Sequence, residues 1–130
     1  MTSGILLFAH GARDPNWARP FQRTRDWLAA QGVAAVELAF LEFMSPDLLE
    51  GGTRLVQAGC TQVTVVPLFL GAGGHVRKDL PELMRQLQAQ HTAVNWTLAA
   101  AVGETDTLVQ ALAQSAAELA GLPFDPRRTP

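Results

Sequence analysis

Cysteine occurs once in these 130 residues, at Cys60. A single thiol excludes an internal disulfide and points to a reducing compartment, the cytoplasm; the simplest role for Cys60 is a small buried side chain at the start of a strand. No stretch approaches the ~20 apolar residues of a membrane-spanning helix. The N-terminal MTSGILLFAHGARD has no basic n-region, and its apolar run is too short for a secretory signal. Positive charge is not in excess either. Ten Lys and Arg stand against twelve Asp and Glu, for a net charge of −2 and an isoelectric point of about 5.8, which argues against nucleic acid or an anionic membrane as partner. With 48% hydrophobic and 17% charged residues, the chain is too apolar for disorder and long enough for one real core. Neither a linker nor an internal repeat divides it.

Four short apolar runs stand out: GILLFA (4–9), AAVELAF (34–40), QVTVVPLFL (62–70) and VNWTLAAAV (94–102). ILLFA and VTVVPLFL are nearly continuous rather than alternating, the mark of strands covered on both faces of a parallel sheet. Helical patterns fill the intervals. NWARPFQRTRDWLAAQG spaces Trp17, Phe21, Trp27 and Leu28 helically and stops at Gly32. SPDLLEGGTRLVQAG offers Ser45 as N-cap and Pro46 at the first helical position, though Gly51-Gly52 weakens its interior by about 1 kcal/mol each. KDLPELMRQLQAQ sets Leu80, Leu83, Met84 and Leu87 on one stripe, with Leu80-Pro81 as the helix entry and His91 on the last turn as a favourable C-terminal charge. ETDTLVQALAQSAAELAG, capped near Thr105 and stopped at Gly121, is the clearest helix. One βα unit per ~30 residues predicts a doubly wound, three-layer α/β domain over residues 4–121 with a four-stranded parallel sheet. LPFDPRRTP (122–130) reads as a Pro-rich irregular tail.

Open parallel sheets bind ligands beyond the carboxyl ends of their strands. His10 follows the first strand, Glu42 the second and His75 the third, at separations of 32 and 33 residues, so all three are expected on one edge. Two imidazoles and a carboxylate suit a divalent transition metal. Individually each has a plainer role: a polar loop residue for either histidine, a helix N-terminal charge for Glu42. The loop GAGGHVRKD (71–79) matches G-x-G-x-x-G only in its first two glycines and follows the third strand, and no G-x-x-x-x-G-K-[ST] occurs, so a nucleotide cradle is not expected. Two readings of Gly73 and Gly74 stay open: a plain turn, or a clearing that lets a large flat ligand reach the backbone beside His75.

The blocks HGARDP (10–15), ELAFLEFMSPDL (37–48) and VTVVPLFLGAGGHVRKDLP (63–81) resemble the CbiX-type sirohydrochlorin chelatases, in matching order over about residues 4 to 103 and at the length of the short, single-domain form. The resemblance implies a lyase that inserts Co²⁺, or Fe²⁺, into sirohydrochlorin on the way to cobalamin or siroheme. It further implies that no nucleotide is hydrolysed and no cofactor is needed beyond the substrate metal, for which Ni²⁺ is also an option. Short forms pair as homodimers closing over the tetrapyrrole. The resemblance assigns His10 and His75 to metal binding and proton acceptance and Glu42 to the acidic position. Ala12 departs from the Ser usual beside the first histidine, removing a hydroxyl. Because the substrate carries eight carboxylates, Arg13, Arg77 and Lys78 are candidate partners, with solvated surface charge as their plainer role. The rival functions are a metal- or tetrapyrrole-binding module without insertion activity, or a subunit of a larger α/β assembly.

Overall fold

The computed structural model describes residues 2–71 and 73–130, without the side chains of residues 74–77. Four strands, β1 (Thr2–Ala9), β2 (Ala35–Phe40), β3 (Cys60–Pro67) and β4 (Asn95–Leu98), form one parallel sheet in the order β2-β1-β3-β4. The helices are α1 (Arg19–Ala30), entered through a 3-10 turn at Pro15–Ala18, then α2 (Leu48–Gln57), α3 (Gly74–Gln90) and α4 (Asp106–Leu119). None of the described helices is long and apolar enough to cross a membrane.

The continuous apolar run of β1 is explained by its central position. Leu6 and Phe8 face one core, with Leu48, Leu55, Val63, Val65, Leu87 and Trp96, which lies under α2 and α3. Leu7 and Ala9 face a second core, with Leu38, Phe40 and Ala18, under α1. From Leu6 to Ala9 each residue of β1 therefore leaves water whichever way it points, and alternation has nothing to mark. The chain winds outward from β1 to β2 and then back across to β3 and β4. Right-handed crossovers accordingly put α1 on one face and α2 and α3 on the other. That reversal creates a switch point between β1 and β3, where a ligand crevice is expected at the carboxyl ends.

Several local expectations need correction. The N-cap of α2 is Asp47, whose carboxylate accepts from the Glu50 N–H at 2.8 Å, and not Ser45; Pro46 lies before the cap and is buried. Gly51 and Gly52 sit within α2 after all, because a Cβ at Gly51 would lie 2.9 Å from Leu6 and one at Gly52 would lie 2.6 Å from Leu87. Packing outweighs propensity there. Pro81 is inside α3 rather than at its entry, since the helix starts at Gly74, within the glycine loop. β3 ends at Pro67 and β4 is only Asn95–Leu98. The stripe Leu80, Leu83, Met84, Leu87 does face the core, and Gly32, Gly59 and Gly121 follow their helices with positive φ. Cys60 is buried as the first residue of β3, and desolvation raises its thiol pKa. His91 caps α3, but its Nε2 lies 3.0 Å from Thr53 Oγ1 and its ring rests near Trp96, so it ties α2, α3 and β4 together.

Candidate functional site

His10 is the first residue after β1 and Glu42 the second after β2. The two exits stay hydrogen-bonded past both strand ends: Leu41 N–H donates to Ala9 O at 2.9 Å and Glu42 N–H to His10 O at 3.1 Å. Gly11 makes this approach possible. Its φ is +94°, and a Cβ there would lie 1.9 Å from the Glu42 carbonyl oxygen, so only glycine lets the two exit loops touch. The result is His10 Nε2 at 3.0 Å from Glu42 Oε1, each side chain 45% exposed. An exposed pair of this kind adds at most about 1 kcal/mol to stability. Its polar atoms stay within reach of solvent and ligands.

Beyond Glu42 the chain turns sharply. Met44 N–H donates to Glu42 O at 2.8 Å across Phe43, whose φ is +66°, and Phe40 N–H donates to Pro46 O at 2.9 Å, closing the excursion. Arg13, on the facing loop, lays its guanidinium 4.6 Å from the centre of the Phe43 ring. On the β3 side, Gly73 is the N-cap of α3, with extended backbone and no side chain of its own to cap the helix.

Of the residues expected from sequence, the structure brings together His10, Glu42 and Arg13. His75 belongs to the first turn of α3 rather than a free loop, as does Arg77; their side chains lie outside the described residues. The topology sets that turn beyond β3, next to β1 on the same edge. Lys78 is exposed on α3, one turn further along. Among the described residues no three His, Cys, Asp or Glu side chains converge as a metal site, so the pair His10–Glu42 is the polar nucleus of the edge. Gly11 and Phe43 were not anticipated as parts of it. The dipeptide His10-Gly11 after a strand was a signal for the first; no local pattern marks Phe43.

An open parallel α/β sheet, with a histidine and a carboxylate joined across the exits of β1 and its edge neighbour β2, beside the switch point between β1 and β3, is the class of architecture this chain presents. Comparison with known proteins narrows this class. The CbiX family model matches residues 4–119, and the chain belongs to that family. A sirohydrochlorin cobaltochelatase of Saccharolobus solfataricus is 36% identical over 81 residues, 62% of each chain, so the matched stretch spans less than two thirds of that relative. In structure, a cobalamin biosynthesis CbiX protein of Marinobacter aquaeolei VT8 superposes with a TM-score of 0.80 at 33% identity, covering 92% of this chain and 98% of that one. The sirohydrochlorin chelatase SirB of Bacillus subtilis subspecies spizizenii, in complex with cobalt, gives 0.80 at 25% identity, covering 92% of this chain and 52% of SirB.

Proposed function

We propose that this chain inserts a divalent metal, Co²⁺ first and Fe²⁺ next, into sirohydrochlorin without nucleotide hydrolysis. It would act in the cytoplasm, in cobalamin or siroheme formation. The observation that carries this reading is the His10–Glu42 pair, held 3.0 Å apart and half exposed at the carboxyl edge. Family membership supports it, as do the names of relatives: a sirohydrochlorin cobaltochelatase, and a sirohydrochlorin chelatase complexed with cobalt.

The chemistry fits the residues. Insertion removes two protons from pyrrole nitrogens while a metal enters the ring. An imidazole, ordinarily titrating near 6.5, can hold a divalent cation or accept a proton. A proton taken up at His10 can be handed along the hydrogen bond to Glu42 and from there to water. His75, in the first turn of α3, is the second histidine of the set. In this reading the metal is a substrate, and no resident cofactor is part of the proposal. Arg13 and Lys78, and Arg77 by its position in α3, are proposed partners for the substrate carboxylates. The glycines fit as well. At Gly73 no atom of the described residues lies within 4 Å of where a Cβ would be, and φ is −64°. Packing among the described residues gives no reason for glycine there, whereas a macrocycle coming close to the backbone at Gly73 and Gly74 does.

A homodimer is part of the proposal. α4 carries no buried residue and leaves Val109, Leu112 and Leu119 exposed, Leu119 at 91%. An amphipathic helix with its apolar stripe in water calls for a cover, and a second copy of the chain, closing over the tetrapyrrole, would supply it. Sedimentation of wild type and of Leu112→Glu/Leu119→Glu tests this: a dimer that becomes a monomer is expected, and a monomeric wild type refutes it.

The decisive assay follows sirohydrochlorin absorbance after Co²⁺ or Fe²⁺ is added with catalytic protein. Multiple turnovers are expected, with His10→Ala and His75→Ala each losing most activity and Glu42→Gln losing less. A strictly stoichiometric change would favour the alternative, a metal- or tetrapyrrole-binding module. Near wild-type turnover in either histidine variant would overturn that histidine's role.

A further inference from the structure

Two large apolar side chains stand in water at the carboxyl edge, where the His10–Glu42 pair lies. Phe43, 56% exposed, is in the loop leaving β2, and Leu70, 67% exposed, is in the loop leaving β3. β1 runs between those strands, so the two flank the exit that carries His10, roughly 10 Å apart if strand spacing is kept.

Both are held there by backbone rather than left there by chance. Phe43 has φ +66°, a conformation in which a bulky residue is rare and strained, and it is fixed by the Met44–Glu42 hydrogen bond across it and by Gly11 pressing on the Glu42 carbonyl. Leu70 is fixed in parallel fashion. Gly103 N–H donates to Phe69 O at 2.9 Å, and a Cβ at Gly103 would lie 1.9 Å from the Leu70 carbonyl oxygen. The Phe43 ring carries the Arg13 guanidinium, 4.6 Å from its centre, and the two line a hollow of about 300 Å³ floored by Phe40 and Ala18.

Resting on the tetrapyrrole reading above, we infer that Phe43 and Leu70 seat the macrocycle. They give it apolar contact on either side of His10, while Phe43 aims Arg13 at one of the ring's peripheral carboxylates. A flat apolar ring fringed by carboxylates matches an aromatic face, an aliphatic side chain and a stacked guanidinium. Phe43 is thus a substrate-binding and positioning residue whose energy goes to the tetrapyrrole and not to the metal.

The experiment measures KM for sirohydrochlorin, kcat, and Co²⁺ binding by calorimetry without tetrapyrrole. Phe43→Ala should raise the tetrapyrrole KM about tenfold, with kcat within about twofold and Co²⁺ affinity unchanged; Leu70→Ser should act in the same direction and Phe43→Tyr should restore binding. Phe43→Gly removes the ring and relieves the positive φ, so it should be at least as stable as wild type while sharing the KM defect. A Phe43→Ala KM within twofold of an active wild type overturns this inference and leaves the chelatase reading standing. A wild type that neither binds nor metallates sirohydrochlorin overturns both.

Discussion

Gly11→Ala is the sharpest probe of how the edge is built. The new Cβ would meet the Glu42 carbonyl oxygen at 1.9 Å and its carbon at 3.0 Å, and the backbone sits at φ +94°. Holding an L-residue there costs ~1–2 kcal/mol. Relieving the clash means moving two backbone segments apart by more than an ångström, which breaks the Glu42 N–His10 O hydrogen bond for about another 1 kcal/mol. A loss of ~2–3 kcal/mol corresponds to a fall of roughly 10 °C in Tm for a domain of this size. Most molecules stay folded at 25 °C, because whole domains have ~5–15 kcal/mol to lose. Activity should suffer more than stability. His10 and Glu42 ride on the separated segments, and a misplacement of about 1 Å at a reacting group costs ~100-fold. Calorimetric Tm and Co²⁺ insertion at 25 °C, measured on the same sample, check both halves. A variant melting within ~2 °C of wild type and turning over within ~threefold would refute the close-approach account of the site.

Gly73→Ser should behave in the opposite way: the hydroxyl has open space and can cap α3, so stability holds or rises by a few tenths of a kcal/mol while the tetrapyrrole KM rises; a loss of stability would contradict the geometry at Gly73. Acid unfolding should be sensitive to Glu82. Hydrogen bonds from Arg85 and then Gln86 lower its pKa from 4.5 to about 2. A depressed folded-state pKa means stabilisation that is present above the unfolded value and lost as pH falls from 4.5 toward 2. Glu82→Gln should therefore flatten that limb of a urea-midpoint profile, slightly, because the pair is exposed to solvent that screens it; an unchanged slope counts against the Arg85 bond. Cys60 should resist a disulfide exchange reagent at pH 7 until denaturant is added, since burial raises its thiol pKa and blocks access; rapid labelling of the native protein would show the start of β3 to be open.

The sheet was legible because β1 and β3 are buried on two faces, and such strands leave near-continuous apolar runs. Cap chemistry was legible where one side chain decides it, as at Thr105, whose hydroxyl accepts from the Leu108 N–H of α4. It was misread at Ser45, because three polar or proline residues in a row could each open α2 and only tertiary docking selects Asp47. The glycine pair in α2 is the same lesson in reverse: its reason is Leu6, Leu87 and Trp96, residues far away in sequence. At the edge, His10 and Glu42 could be placed from strand spacing alone, since each lies within two residues of its strand's end. Phe43 could not, for its orientation depends on a turn set by Gly11 from another strand's exit. α4 was legible as a helix from its cap and its stop, but no pattern in one chain distinguishes an apolar stripe that faces its own sheet from one left in water.

The contact between the first two strand exits has a consequence for the life of the protein before it is active. His10 and Glu42 are 32 residues apart and meet just beyond the last rung of the β1–β2 ladder, where Ala9 lies opposite Phe40. A chain paired one residue out of step would turn its apolar side chains to the wrong faces and pull this rung apart at once. The pair therefore forms with correct strand alignment and not before. On the role proposed for it, a nascent or misaligned copy has little means of hoarding metal.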